Sequence, residues 1–68
     1  MEITEKTLRE KRYFLFTNGE DIEADIYYSE ECNCYSVSLN YKIKVFRNFK
    51  RALKRINRLV EKYQLELI

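Results

Sequence analysis

The 68-residue sequence contains no His, no Pro and no Trp, and it has one Gly and two Cys. Without His, neither a Ser-His-Asp triad nor imidazole-based acid–base chemistry can be built. Without Pro, and with a single Gly, no flexible linker is expected, so residues 1–68 are predicted to form one domain. The apolar runs are short and interrupted by charge. This pattern predicts neither a membrane span nor a signal peptide, and a cytoplasmic location is the default expectation.

The two cysteines form a C-x-C pair, Cys32 and Cys34. A metal site would need two further thiolate or imidazole ligands that the chain lacks, so we expect no metal and no cofactor. Side chains two positions apart on a strand seldom close an unstrained disulfide. The sequence therefore predicts two reduced structural thiols.

Charge is divided between the two halves of the chain. Residues 1–34 hold nine acids and four bases, giving −5, whereas residues 35–68 hold nine bases and two acids, giving +7. The overall charge of +2 therefore says little about what either surface attracts.

The segment 46–67 has the strongest periodicity in the chain. Its apolar residues recur at steps of three and four and share one stripe of a helix: Phe49, Ala52, Leu53, Ile56, Leu59, Val60, Tyr63 and Leu67. Asn48 is placed as the N-cap. Leu65 lies off the stripe, so we expect either that the helix frays near Gln64 or that Leu65 is used in another contact. The stripe must be buried, which leaves the opposite arc of the helix in solvent.

Three extended segments precede this helix. Residues 13–17 are apolar on both faces, and Asn18-Gly19 predicts a type I′ turn into an alternating strand over 22–28. From Tyr35 to Val45 every odd position is apolar. This run is either one long strand or two short ones joined at Asn40-Tyr41, and the Asn slightly favours the split.

The N-terminal segment, residues 1–11, carries a weaker helix signal, and the alternative is a frayed arm. Thr4 is placed as an N-cap, with Ile3 and Leu8 as a hydrophobic staple across it. The expected fold is α+β, an antiparallel meander of three or four strands with the C-terminal amphipathic helix packed on one face and a short helix at the N-terminus.

This order of elements, αβββα, is similar to that of the double-stranded-RNA-binding domains and related small toxin folds. Lys50, Arg51 and Lys54 resemble the basic cluster that grips phosphates in those domains, and VFRNFKRAL looks like the end of the arm-binding domains of phage integrases. The chain departs from the first group because it has no Gly-Pro-x-His-type loop between its first strands. We therefore assign it to no family.

A nucleic acid is the first partner that the charge pattern predicts. The exposed arc of the helix and the segment before it carry cations that can neutralise phosphates. These residues are Lys42, Lys44, Arg47, Lys50, Arg51, Lys54, Arg55, Arg58 and Lys62. The alternative is that these cations only solvate the outer face of a helix.

The acidic hairpin predicts a second kind of partner, a protein. It has six carboxylates and no base, namely Glu20, Asp21, Glu23, Asp25, Glu30 and Glu31. Nothing would separate their pKa values for acid–base catalysis, so we expect no enzyme. A small phage-type inhibitor, acting as anti-CRISPR proteins do, would use such a surface.

The aromatic residues suggest a contact surface as well. A helix covers only one face of a sheet, so either Tyr13 and Leu15 or Phe14 and Phe16 must point outward. We assign Phe14, Phe16 and Tyr27 to a strip that contacts a protein partner or a second copy in a homodimer.

Overall fold

The chain forms two helices and five strands in a computed structural model that describes residues 3–68. In chain order these are α1 (Glu5–Lys11), β1 (Tyr13–Thr17), β2 (Glu23–Ser29), β3 (Cys34–Leu39), β4 (Lys42–Phe46), α2 (Phe49–Tyr63) and β5 (Glu66–Leu67). The strands make one antiparallel sheet in the order β4-β3-β2-β1-β5. The predicted α+β class is confirmed, with more strands than expected.

Helix α2 begins and ends where its sequence indicates. The Asn48 side chain accepts a hydrogen bond from the backbone N–H of Arg51 at 3.3 Å, and Gln64 ends the helix in the left-handed conformation at φ 52°. The apolar stripe buries Ala52, Ile56 and Leu59, which are spaced by three and four residues. Within residues 3–68 no helix has the length and apolar character needed to cross a membrane.

Helix α1 confirms the weaker N-terminal prediction. Thr4 caps it by accepting from the backbone N–H of Thr7 at 3.1 Å, and the Thr7 hydroxyl is hydrogen-bonded to the backbone N–H of Thr4 at 3.1 Å. Ile3 and Leu8 are both buried, as the predicted staple requires. The predicted segment also includes Met1 and Glu2, which lie outside the described residues.

Both helices pack on the same face of the sheet. Alternate residues of the strands, including Phe14, Phe16, Ile26 and Val37, form one core cluster with the buried residues of the helices. Helix α2 contacts β2, β3 and β4, and α1 contacts β1 and β2. The opposite face of the sheet is covered by no element of residues 3–68.

The run over residues 35–45 is split, as the sequence slightly favoured. Asn40 and Tyr41 have φ of 47° and 71°, and Leu39 pairs with Lys42. Positive φ at both central residues is the requirement of a type I′ turn. Because a two-residue turn separates the strands, the odd positions change face: Val37 points to the helices, whereas Ile43 and Val45 point away from them.

The predicted type I′ turn at Asn18-Gly19 is wrong. Thr17 pairs with Glu23, so five residues connect β1 to β2, and of Asn18 and Gly19 only Gly19 has a positive φ, 81°. The cause is the Asn18 side chain, whose Oδ1 accepts from the backbone N–H of Glu20 at 2.9 Å and of Ile22 at 3.1 Å. These bonds stabilise a wider loop.

The prediction that Leu67 belongs to the helical stripe is also wrong. After Gln64 the chain reverses, Leu65 is buried, and its N–H donates to the carbonyl of Val60 at 2.9 Å. Glu66 and Leu67 then pair with Thr17 and Phe16 as strand β5. The last residues therefore cover an edge of the sheet.

Tyr35 ties α1 to the sheet. Its hydroxyl donates to the Glu5 carboxylate and accepts from Arg9 Nε at 3.2 Å and Nη2 at 3.1 Å. Its ring meets Phe49 of α2 edge-on, with centroids 5.6 Å apart. Burial of the phenol, followed by its bond to the Glu5 carboxylate, raises the pKa of Tyr35 above its ordinary value of about 10.

Ile56→Ala should be severely destabilising. Ile56 is fully buried, and truncation of a buried Ile typically costs about 2 to 5 kcal/mol. A chain of this length has a free energy of unfolding of about 3 to 10 kcal/mol, so little stability should remain. Thermal denaturation followed by circular dichroism measures the loss. Lys54→Ala, at an exposed position of the same helix, is the control, and an equal change in both variants would contradict the assigned buried face.

Tyr35→Phe should change how stability depends on pH. The folded chain prefers the neutral phenol, so this contribution is fully present below about pH 10 and is lost as the pH rises further. At neutral pH the variant should lose about 0.5 to 1.5 kcal/mol, because Glu5 and Arg9 lose a hydrogen-bond partner but are exposed enough to bond water instead. Above pH 10 its deficit should shrink. Chemical denaturation at both pH values checks this, and exposed Tyr41→Phe should leave the alkaline loss intact.

Candidate functional site

The outer arc of α2 carries a surface of cations without acidic partners. Among residues 3–68, no carboxylate oxygen lies within 4.0 Å of the charged nitrogens of its six basic residues. All six are exposed except Arg55, which is half-buried. They are Lys50, Arg51, Lys54, Arg55, Arg58 and Lys62, and they form the main part of what we call the basic surface.

The other three predicted cations extend this surface at its N-terminal end. Lys42 and Lys44 pair with Leu39 and Val37, whose side chains point to the helices, so these lysines emerge on the helix side of the sheet. Both are exposed because β4 is the edge strand. Arg47 lies in the exposed connection to α2. The structure thus places Lys42 and Lys44 on the side of the sheet that carries α2, with Arg47 in the connection between them and that helix.

One row of the basic surface is continuous. Lys50, Lys54 and Arg58 follow one another at four-residue steps and line a shallow groove of about 460 Å³ along the helix. Leu53, Asn57 and Glu61 share this groove. A rise of about 1.5 Å per residue separates successive cations of the row by about 6 Å along the helix axis. The row therefore presents regularly spaced positive charge over two turns.

We call the uncovered side of the sheet the open face. It carries apolar side chains and carboxylates. Register places Tyr13 beside Tyr27, Leu15 beside Asp25, and Thr17 beside Glu23 on this face. Ile43 and Val45, 69% and 63% exposed, join it from β4. Ile68 and Glu66 join it from the opposite edge, where the Ile68 N–H donates to the Leu15 carbonyl at 2.9 Å.

The assignment of Phe14 and Phe16 to an exposed strip is wrong. They are 3% and 8% exposed and face the helices, whereas Tyr13 and Tyr27 are 51% and 44% exposed. The alternative choice, Tyr13 and Leu15 outward, is the one that the structure adopts. On the open face the Tyr13 phenol keeps its hydroxyl in water.

The structure divides the acidic hairpin into two groups. Glu20, Asp21, Glu23 and Asp25 line a groove of about 710 Å³ at one end of the open face. Glu30 and Glu31 lie beyond the other end of β2, about 20 Å away at 3.3 Å per residue. There the Glu30 carboxylate accepts from Arg12 Nη2 at 2.8 Å, and this bond raises the pKa of the Arg12 guanidinium. Only the first group therefore forms a surface with the open face.

Asn40 fixes the acidic groove to the β3–β4 turn. Its Oδ1 accepts from the backbone N–H of Glu23 at 2.8 Å, and its Nδ2 donates to the carbonyl of Asp21 at 3.2 Å. Its own N–H donates to the Glu23 carbonyl at 2.8 Å. Tyr41 follows directly and lines the groove. Three bonds from one residue thus hold the acidic loop and the aromatic ring together.

The prediction of two reduced thiols is contradicted by a disulfide between Cys32 and Cys34. Cys32 lies in the turn before β3 rather than in a strand, and Asn33 has φ 51°. This reversal brings the two Cα atoms to 5.3 Å, within the range that a disulfide spans. Among residues 3–68, no three Cys, Asp or Glu side chains are grouped so that they could hold a metal ion.

Substitutions on the two faces of β1 and β2 should separate core from surface. Phe14→Ser should unfold the domain, because loss of a buried Phe typically costs about 3 to 5 kcal/mol. Tyr27→Ser, on the open face, should change the free energy of unfolding by less than about 1 kcal/mol. Urea denaturation of both variants measures the difference. Similar losses in the two would mean that the open face is covered in solution.

Comparisons with known proteins identify no relative of this chain, so any functional proposal depends on the surfaces described above. No protein-family model matches the chain, and no curated protein or solved structure is significantly similar to it. The observed order of elements, αββββαβ, also departs from the αβββα order of the double-stranded-RNA-binding domains. In this chain β4 and β5 are added to that order.

Proposed function

We propose that the protein is a non-enzymatic binding module that contacts nucleic acid through its basic surface. The observation that carries the proposal is the row of exposed cations on α2, for which residues 3–68 provide no acidic partner within 4.0 Å. Cations that serve only solubility are usually interspersed with acids. Here Glu61 is the single acid between Phe49 and Tyr63.

Burial of the apolar stripe fixes the orientation of the helix that carries this surface. Ala52, Ile56 and Leu59 fix the rotation of α2 about its axis, so the Cα positions of the cations on the opposite arc keep their spacing. The backbone therefore needs no rearrangement when phosphates bind, and only the exposed side chains lose rotamer freedom. The backbone of a nucleic acid is the polyanion that such a row fits, because it repeats negative charge along a line.

The residue types suggest contacts to phosphates rather than to bases. Arg51, Arg55 and Arg58 can each donate two parallel hydrogen bonds to phosphate oxygens, whereas the lysines act as point charges. Phosphate contacts position a protein on a duplex but carry no sequence information directly. We therefore expect affinity that depends strongly on salt and weakly on sequence.

The test is the salt dependence of duplex DNA binding after reversal of two lysines of the row. Each lost phosphate contact should reduce the slope of log affinity against log salt by about 0.9. Lys50→Glu combined with Lys54→Glu should therefore flatten the slope by about 1.8 and weaken binding at low salt. Fluorescence anisotropy across a salt series measures both quantities.

A matched control is available on α1. Lys6→Glu combined with Lys11→Glu makes the same change of net charge on an exposed helix outside the basic surface. This variant should keep most of the wild-type slope. Equal losses in the two double variants would show that only net charge matters, and this result would refute a specific role for α2.

A second candidate function is favoured by the acidic groove. Four carboxylates beside Tyr41 could occupy the cationic site of another protein, which is how a small phage-type inhibitor of the anti-CRISPR kind would act. Affinity purification from the source cell separates the candidates. Recovery of nucleic acid supports the first, and recovery of one stoichiometric protein, lost on reversal of Glu23 and Asp25 to Lys, supports the second.

We also propose a cytoplasmic location for this binding module. Glutathione in that compartment keeps most thiols reduced, whereas the structure joins Cys32 to Cys34. Alkylation of free thiols in intact cells, read by mass spectrometry, distinguishes the cytoplasm from an oxidising compartment. Modified cysteines would support the cytoplasmic location, and a protected pair would place the chain elsewhere.

A further inference from the structure

The open face combines two properties that are unusual on a free surface. It exposes Ile43 and Val45 at one edge of the sheet and Ile68 at the other. It also carries Glu23, Asp25 and Glu66 but no Lys or Arg, as the register shows. An apolar area of this kind usually marks a contact surface, and the carboxylates require that its partner be cationic.

The acidic end of the open face is prearranged for an occupant. Glu23 and Asp21 are held against the β3–β4 turn by the hydrogen bonds of Asn40. The groove between them and Tyr41 is bounded by Leu15 and Ile68, so it has apolar walls beside its four carboxylates. A partner that fits must therefore present cationic head groups on aliphatic stems.

The outer arc of α2 in a second molecule has this chemistry. We propose that copies of the chain associate head to tail, with the open face of one molecule docked on the basic surface of the next. Some Lys and Arg head groups would pair with the groove carboxylates, and others would lie over the rings of Tyr13 and Tyr27. Their aliphatic stems would pack against the apolar side chains of the open face. The complementary charges are both present on the same chain, on opposite sides of one sheet.

The dimensions of the two surfaces agree. Helix α2 has 15 residues, which at about 1.5 Å per residue gives a length of roughly 22 Å. The sheet has five strands, and four spacings of about 4.8 Å give roughly 19 Å across it. A second α2 would therefore be long enough to cross the open face from one edge to the other.

Charge disfavours the symmetric alternative. Two open faces placed against each other would bring Glu23, Asp25 and Glu66 of both molecules together with no base between them. Repulsion between like charges opposes such a dimer and weakens as salt is added, whereas attraction between opposite charges is strongest at low salt. Head-to-tail docking leaves one surface of each kind free on a pair of molecules, so it produces open chains or closed rings rather than a symmetric dimer.

Sedimentation velocity of the purified, nuclease-treated protein tests the proposal. Between about 1 M and 0.01 M salt the Debye length grows from about 3 to 30 Å, so the weight-average sedimentation coefficient at fixed concentration should rise as salt is removed. Glu23→Lys with Asp25→Lys, or Lys50→Glu with Lys54→Glu, should each weaken self-association by about tenfold or more. Lys6→Glu with Lys11→Glu is the control and should associate as the wild type does.

Mixing the two reversed variants gives the decisive result. The first variant keeps a basic helix and the second keeps an acidic open face, so the mixture should associate although neither does alone. Association that strengthens with salt, or that persists in the variant with reversed helix lysines, would overturn the proposal and indicate pairing of two open faces. A wild type that stays monomeric at every salt concentration would also overturn it.

These outcomes can be distinguished from those of the proposed nucleic-acid binding, although both proposals use the basic surface. Glu23→Lys with Asp25→Lys leaves the basic surface unchanged, so that variant should still bind duplex DNA with a wild-type salt slope while losing self-association. Failure of self-association in the wild type leaves the DNA experiment unaffected. Failure of DNA binding likewise leaves the sedimentation experiment unaffected, because that experiment contains protein alone.

Discussion

Burial of the apolar stripe of α2 against one face of the sheet is the constraint on which the rest of the structure depends. Ile56 and Ala52 are fully buried, and they fix which side of the helix meets the strands. The side that remains carries only Glu61 against its cations. Since α1 packs on the same face, the opposite face is left without a cover. Both the basic surface and the open face therefore result from the packing of the helices on one face of the sheet.

Elements whose signals are local could be predicted from the sequence. Thr4 and Asn48 cap the helices through side-chain bonds to backbone groups three residues away, and such bonds need no information from the rest of the chain. The strand Tyr13–Thr17 and the stripe containing Ile56 follow from residue type and spacing in the same way. The nine cations were predictable as one surface because most of them share a single helix.

Elements that depend on register could not be predicted. Tyr13 and Phe14 are both apolar enough for the core, so no contrast in polarity shows which parity faces the helices. In the sequence Ile43 and Val45 continue the apolar odd positions of Val37, but the two-residue turn at Asn40 places their side chains on the other face of the sheet. The change of face could have been predicted only from the turn at Asn40-Tyr41. The Asn18 loop, the strand pairing of Glu66 and Leu67, and the Cys32–Cys34 disulfide depend on contacts or geometry that no spacing rule contains.

The short strand β5 has a consequence for aggregation. Its two residues, with the bond from Ile68 to Leu15, cover the edge of β1 that does not face β2. Unpaired strand edges readily add strands from other chains, and β1 is made of aromatic and aliphatic side chains with one Thr. A brief detachment of β5 would expose this edge without unfolding the core. Residues 66–68 therefore block amyloid-like addition of a strand from another chain at this edge of β1, although they contribute little area to the core.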